Sequence, residues 1–229
     1  MTLRQATRAL VFVALYIAVV VGAIVAVGLS GLVEYTPEGL VPAFLGLVTA
    51  AALLALQVHL VRRNSLTSRD LGFRRPDLRF LHLVWQIPAA IVTAAVAQGL
   101  FFAVLFAAGF DPEAAQSMND PLAGIGALPG PLILIVILTV AIATPVWEEI
   151  LFRGAFLDGF SRRFRPAVAV ALSAALFAAV HLVVIGFAYL FTIGVALALL
   201  RRFHGNLWAP IVLHAVNNGL VVLFILTAV

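Results

Sequence analysis

Long apolar runs recur along this chain, and most of them are long enough to cross a lipid bilayer. A transmembrane α-helix needs roughly 20 apolar residues, so there is room for roughly six to eight of them. Hydrophobic residues make up 64% of the chain and charged residues 10%, whereas a soluble domain is about half apolar and about a quarter charged. This composition excludes a soluble globular protein, a disordered chain and an extended nucleic-acid-binding surface. The runs lack the alternation of barrel strands, so they predict an all-α protein.

The positive charge is carried by arginine alone, and the arginines are clustered. Apart from Arg153, they lie before the first apolar run, throughout the segment 62–79, after residue 161 and at Arg201 and Arg202. Connections near 34–39 and 110–130 contain no arginine. Because basic residues mark cytoplasmic ends, this alternation predicts a cytoplasmic N-terminus and an external C-terminus.

The apolar runs predict a polytopic bundle of about seven transmembrane helices, or eight if the 110–130 loop contains a short one. The first run is longer than a signal-peptide core, so we expect it to be retained. Residues 1–229 then form a single integral membrane domain without disulfides, since cysteine is absent. The predicted spans are 9–33, 40–61, 80–108, 131–159, 166–184, 187–200 and 209–229.

Polar residues inside the last four spans are the informative ones, because ionisable groups in a membrane are costly and usually functional. Glu149 and Arg153 are four residues apart, so they share a helix face and can pair. Glu148 is rotated by about 100° from its neighbour and has no obvious local partner. The remaining polar residues are His181 in the fifth span and His214, Asn217 and Asn218 in the seventh.

These residues suit peptide hydrolysis in a single polar cavity on the cytoplasmic half of the membrane. A buried carboxylate can act as general base toward water. A histidine can share that water, and a second histidine with an asparagine amide can stabilise an oxyanion. Two histidines and a glutamate could instead hold Zn²⁺ with one open position. The sequence contains no His-Glu-x-x-His motif, no paired intramembrane aspartates and no evident Ser–Lys or Ser–His pair.

Three motifs on separate spans resemble the CPBP family, which comprises CAAX-type prenyl endopeptidases, bacteriocin-processing enzymes and abortive-infection proteins. They are Glu148-Glu149-x-x-x-Arg153, Phe177-x-x-x-His181 and His214-x-x-x-Asn218. The resemblance covers about 131–220, which we take as the catalytic core. It implies an intramembrane endopeptidase, a hydrolase that cleaves near the cytoplasmic side.

The resemblance also implies a role for each motif residue. Glu148 would be the general base, assisted by His181, while His214 and Asn218 would stabilise the oxyanion. Glu149 would be held by Arg153 and shape the site. Phe177 would be a packing residue of the site.

The family is described both as glutamate-dependent and as a metalloprotease, so the cofactor stays unknown. A divalent metal such as Zn²⁺ would be held by His181, His214 and Glu148. The expected partners are the lipid bilayer and a membrane-associated protein or peptide, lipidated or not, with no nucleic acid. We expect the protein in a bacterial or archaeal plasma membrane.

Two other function classes stay open at this point. Buried glutamate and histidine could form the relay of a proton-coupled transporter, although such proteins usually contain a repeat and none is visible here. The chain could also be a non-catalytic membrane scaffold or immunity protein. The presence of the full set of cavity residues favours the enzyme over the scaffold.

The arginine pattern generates a prediction about topology. Reporter fusions placed in the loop 62–79 and after Arg202 should report a cytoplasmic location, because both sites follow basic clusters. Fusions within 110–130 and at Val229 should report an external location. An external loop 62–79 would reverse the orientation and the side on which cleavage is expected.

Overall fold

The computed structural model describes residues 1–31, 36–110 and 128–227, and all of its regular structure is helical. The fold therefore confirms the predicted all-α class. The predicted loop 110–130 falls largely outside the described residues, so its structure and the total number of helices stay predictions. The elements are α1 (Leu3–Ser30), α2 (Pro37–Leu56), α3 (Ser68–Leu71), α4 (Leu83–Ala107), α5 (Gly130–Ser161), α6 (Pro166–Val180), α7 (Phe187–His204) and α8 (Trp208–Thr227).

Six helices of the described part are long and apolar enough to cross a membrane. They are α1, α2 with its continuation to Asn64, α4 with the 3₁₀ turn Leu78–His82 before it, α5, α7 and α8. Large apolar side chains on their outer faces stay exposed, for example Val19, Val84 and Phe224. Such outward-facing residues fit a lipid environment, in which apolar surface needs no protein cover.

The helix α6 differs from the predicted fifth span. We predicted a helix over 166–184, but α6 has 15 residues and ends at Val180. Leu182 adopts a left-handed backbone conformation with φ of 56°, which a continuing α-helix cannot accommodate. His181 therefore lies at the end of α6, where a turn begins.

The helices α6 and α7 follow each other closely in sequence and pack closely against each other. A Cβ atom on Gly194 of α7 would lie 3.1 Å from both the Cα and the Cβ of Ala174 in α6. Both positions are buried. Small residues at such a contact let two backbones approach each other. This approach also brings the Gly194 carbonyl within reach of α5.

The C-terminal ends of α5 and α7 and the start of α8 meet the arginine-rich loop, residues 62–79, at one end of the bundle. The Leu207 N–H donates to the Gly72 carbonyl at 2.9 Å. Arg201 of α7 lies 3.8 Å from Asp158 of α5. Gly154, six residues after Glu148, packs next to this loop, since a Cβ on it would lie 3.2 Å from the Leu71 carbonyl oxygen.

The α6–α7 contact predicts a strong difference between two glycine substitutions. Gly194→Leu should lower stability by about 1–3 kcal/mol, because the added side chain overpacks the helix contact. Gly46→Leu is the matched control, since a Cβ at Gly46 meets no atom within 4 Å. Thermal unfolding of the two purified variants in detergent should give a lower midpoint for Gly194→Leu. Equal midpoints would contradict the close approach.

Candidate active site

The segment of α5 that carries both carboxylates is flanked by two wide π-helical turns. These turns are Leu138–Ala143 and Ile150–Phe156, with an α-helical segment Thr144–Glu149 between them. Such turns occur frequently at functional sites. They change which helix face each residue occupies, and they release backbone carbonyls that other helices can then bind.

Pro145 leaves one of these carbonyls without a donor inside the helix. The Thr144 N–H donates to the Thr139 carbonyl, five residues back, so the next donor in this register would be residue 145. Proline has no N–H, and the Val140 carbonyl instead accepts from Asn218 Nδ2 at 3.0 Å. A side chain of α8 therefore satisfies the carbonyl that the proline frees.

Glu149 is fully buried and joins two motif residues through a single oxygen. Its Oε1 accepts from Arg153 Nη1 at 2.8 Å and from His214 Nδ1 at 2.8 Å. The first contact is the predicted pair at a spacing of four residues, and both of its partners are fully buried. The second contact fixes α8 against α5.

Arg153 also contacts α6 and α7. Its Nη2 donates to the Gly194 carbonyl at 3.1 Å, and its guanidinium carbon lies 4.4 Å from the centre of the Phe177 ring. The ring centre of Phe177 is 4.6 Å from His181 and 5.6 Å from that of His214. Phe177 thus packs against the arginine and both imidazoles.

Glu148 faces the two motif histidines. Its Oε2 is 3.6 Å from His214 Nε2 and 3.9 Å from His181 Nε2. This oxygen is buried and has no hydrogen-bond partner among the described residues. The three atoms are too far apart to bond directly, but one water molecule roughly 2.8 Å from Glu148 Oε2 could bridge it to one of the two Nε2 atoms.

The hydrogen bonds of the two rings indicate which nitrogen carries a proton. His181 Nδ1 lies 2.7 Å from the Phe177 carbonyl, which can only accept, so Nδ1 donates. His214 Nδ1 likewise donates to the Glu149 carboxylate. In the neutral rings both Nε2 atoms therefore keep their lone pairs and direct them toward Glu148.

These groups line one cavity of about 620 Å³. Most of its wall is apolar, and its polar residues are Gln98, Thr144, Glu148, His181, Tyr189, His214, Asn217 and Asn218. The structure thus brings Glu148, His181, His214 and Asn218 together around one space, with Glu149 and Arg153 behind it. Their catalytic roles stay predictions.

Sequence reasoning missed two cavity residues, Tyr189 and Thr144, and a third, Asn217, lies outside the three motifs. Tyr189 donates from its hydroxyl to Asn217 Oδ1 at 2.6 Å. Thr144 lies 3.1 Å from Thr49 of α2 through their hydroxyls. A polar residue in an apolar span was the available signal for all three.

The possible metal ligands are Glu148, His181 and His214. Among residues 1–31, 36–110 and 128–227, no group of three or more histidine, cysteine, aspartate or glutamate side chains is arranged to hold a metal ion. The three side chains therefore do not form a metal centre as they stand.

Comparison with known proteins supports the motif assignment. Residues 130–220 match the family model for the Rce1-like type II CAAX prenyl endopeptidases. This segment is similar to the Rce1-like family. The match contains every residue of the three motifs and confirms the resemblance over α5–α8, whereas α1, α2 and α4 lie outside it. No curated protein and no solved structure matches the chain.

The buried ion pair predicts that Arg153 is needed for stability. Arg153→Ala should lower the stability by about 3–5 kcal/mol, because it leaves Glu149 as a buried carboxylate with only His214 as partner. Thermal unfolding and the amount of protein accumulated in the membrane measure this loss. Arg162→Ala is the control, since Arg162 is exposed at the end of α5. Equal stability of the two variants would contradict a structural role for Arg153.

Proposed function

We propose that the protein is an intramembrane endopeptidase that hydrolyses a peptide bond by a glutamate-dependent mechanism. The observation that carries the proposal is the position of Glu148 Oε2, which faces the Nε2 atoms of both His181 and His214 inside the cavity. The similarity of residues 130–220 to an endopeptidase family supports the same reaction.

Glu148 acts as the general base in this mechanism. A water molecule in the cavity donates to Glu148 Oε2 and contacts His181 Nε2. Glu148 takes a proton from the water as the oxygen attacks the carbonyl carbon of the substrate. General base catalysis of this kind contributes typically about 10²–10⁴-fold to the rate.

The same residues complete the cleavage. The attack places a negative charge on the carbonyl oxygen, which hydrogen-bond donors on the cavity wall stabilise. Asn218 supplies a donor from α8, and His214 supplies a second when its Nε2 carries a proton taken up from solvent before the attack. Glu148 then transfers its proton to the amine nitrogen, the C–N bond breaks and both peptide products leave.

Glu149 supports this step through His214. With both histidines neutral, Glu148, Glu149 and Arg153 carry a formal charge of −1, so one added proton neutralises the buried set. The hydrogen bond from His214 Nδ1 to Glu149 fixes the imidazole with its Nε2 toward Glu148. Carboxylates orient and stabilise imidazolium in the same way in other hydrolases.

The substrate is a membrane-associated protein or peptide, lipidated or not, that enters the cavity from the bilayer. The largely apolar cavity wall supports a substrate of this kind. Cleavage takes place on the cytoplasmic half of a plasma membrane. This side follows from the arginine-rich end of the bundle, which lies close to the site.

Replacing Glu148 by glutamine tests the mechanism. Glu148→Gln keeps the shape of the side chain and removes the base, so cleavage of a membrane-peptide library by protein in lipid vesicles should fall at least about 100-fold. Asp70→Asn, an exposed carboxylate in the arginine-rich loop, is the matched control and should retain full activity. Cleavage by Glu148→Gln at the wild-type rate would rule out Glu148 as the base.

Adding a chelator distinguishes a glutamate-dependent mechanism from a metal-dependent one. The glutamate-dependent mechanism predicts that wild-type protein cleaves the library equally well with and without a strong chelator. Loss of activity on chelation and its recovery with Zn²⁺ would instead identify His181 and His214 as metal ligands. In that case the general-base role of Glu148 would have to be reconsidered.

A further inference from the structure

Three side chains that line the cavity form one chain of hydrogen bonds. The Tyr189 hydroxyl donates to Asn217 Oδ1 at 2.6 Å. Asn217 Nδ2 donates to Asn218 Oδ1 at 3.3 Å, and Asn218 Nδ2 donates to the Val140 carbonyl at 3.0 Å. This series of hydrogen bonds thus joins α7, α8 and the π-helical turn of α5.

The direction of every bond in this chain follows from its last acceptor. A backbone carbonyl can only accept, so Asn218 must present its NH₂ group to Val140 and its oxygen to Asn217. Asn217 must then donate to that oxygen and present its own oxygen to Tyr189. The Tyr189 hydroxyl is therefore a donor, and neither amide can turn over without losing a bond.

Tyr189 is itself held in place from α4. Its backbone N–H donates to Gln98 Oε1 at 3.0 Å, and Gln98 Nε2 donates to the Ile185 carbonyl at 2.8 Å. Gly186 precedes α7 and has no side chain to cap it, so Gln98 provides the cap from another helix. The chain of bonds is thus anchored at Gln98 as well as at Val140.

We infer that Tyr189 is a positioning residue which, through Asn217, holds the Asn218 amide so that its second N–H is available to the substrate oxyanion. Asn218 Nδ2 has two hydrogens, and in the described part of the chain only the Val140 carbonyl receives one. Asn218 lines the cavity. The inference rests on the proposed hydrolysis and adds the residues that orient its oxyanion donor.

Removing one hydroxyl group tests this role. In lipid vesicles, Tyr189→Phe should lower kcat by about 10- to 100-fold and leave KM within about twofold, because the donor acts on the transition state. Tyr16→Phe is the matched control. It removes a half-buried hydroxyl that contacts His59 at 3.3 Å, outside the cavity, and should keep the wild-type kcat.

A double-mutant cycle distinguishes action through Asn217 from a separate effect. Asn217→Leu removes both hydrogen bonds at similar volume and should lower kcat to a similar extent. In the Asn217→Leu background, Tyr189→Phe should have no further effect, since coupled residues are not additive. The inference would be overturned if the two substitutions lowered kcat by the product of their single effects, or if Tyr189→Phe kept the wild-type kcat. If Glu148→Gln is inactive at the same time, the proposed hydrolysis still stands.

A spectroscopic measurement checks the hydrogen bond without relying on activity. The chain has three tyrosines, so Tyr16→Phe with Tyr35→Phe leaves Tyr189 as the only one. Its ultraviolet resonance Raman doublet should have the intensity ratio of a hydroxyl donor, and Asn217→Leu should shift that ratio. An unchanged doublet would overturn the inferred chain of bonds. If the wild type cleaves no substrate, the proposed function and this positioning role fail together.

Discussion

The carboxylate of Glu149 is the point on which the rest of the site depends. It is fully buried, and one of its oxygens binds both Arg153 and His214. A buried charge without a partner is strongly destabilising, so these bonds hold α8 against α5. Arg153 extends the constraint to α7 through the Gly194 carbonyl. Two buried charges therefore link three helices, α5, α7 and α8, to one another.

The irregular backbone of α5 gives the site its second set of constraints. A regular helix would bond its own carbonyls and offer none to its neighbours. Here a π-helical turn followed by Pro145 releases the Val140 carbonyl, and Asn218 binds it. In a bilayer a released carbonyl must find a donor within the protein. The same bond orients the amide that we propose as an oxyanion donor.

Individual residues illustrate how far sequence reasoning reached. The spacing of Glu149 and Arg153 predicted their pairing because both lie on one helix. The apolar run did not reveal where α6 ends, since it continues through 182–185. That end coincides with a bond from the His181 ring to the Phe177 carbonyl. Tyr189 escaped notice because its partner, Asn217, lies 28 residues away on another helix.

The sequence by itself determined the helical membrane fold, the contact between Glu149 and Arg153 and the set of motif residues. These depend on apolar run length and on spacing within one helix, which are local properties. Only the tertiary structure decided that Glu149 also binds His214, that both Nε2 atoms face Glu148 and that Gln98 caps α7. Such contacts join residues far apart in the chain, and they depend on how the helices pack and where their regular backbone is interrupted.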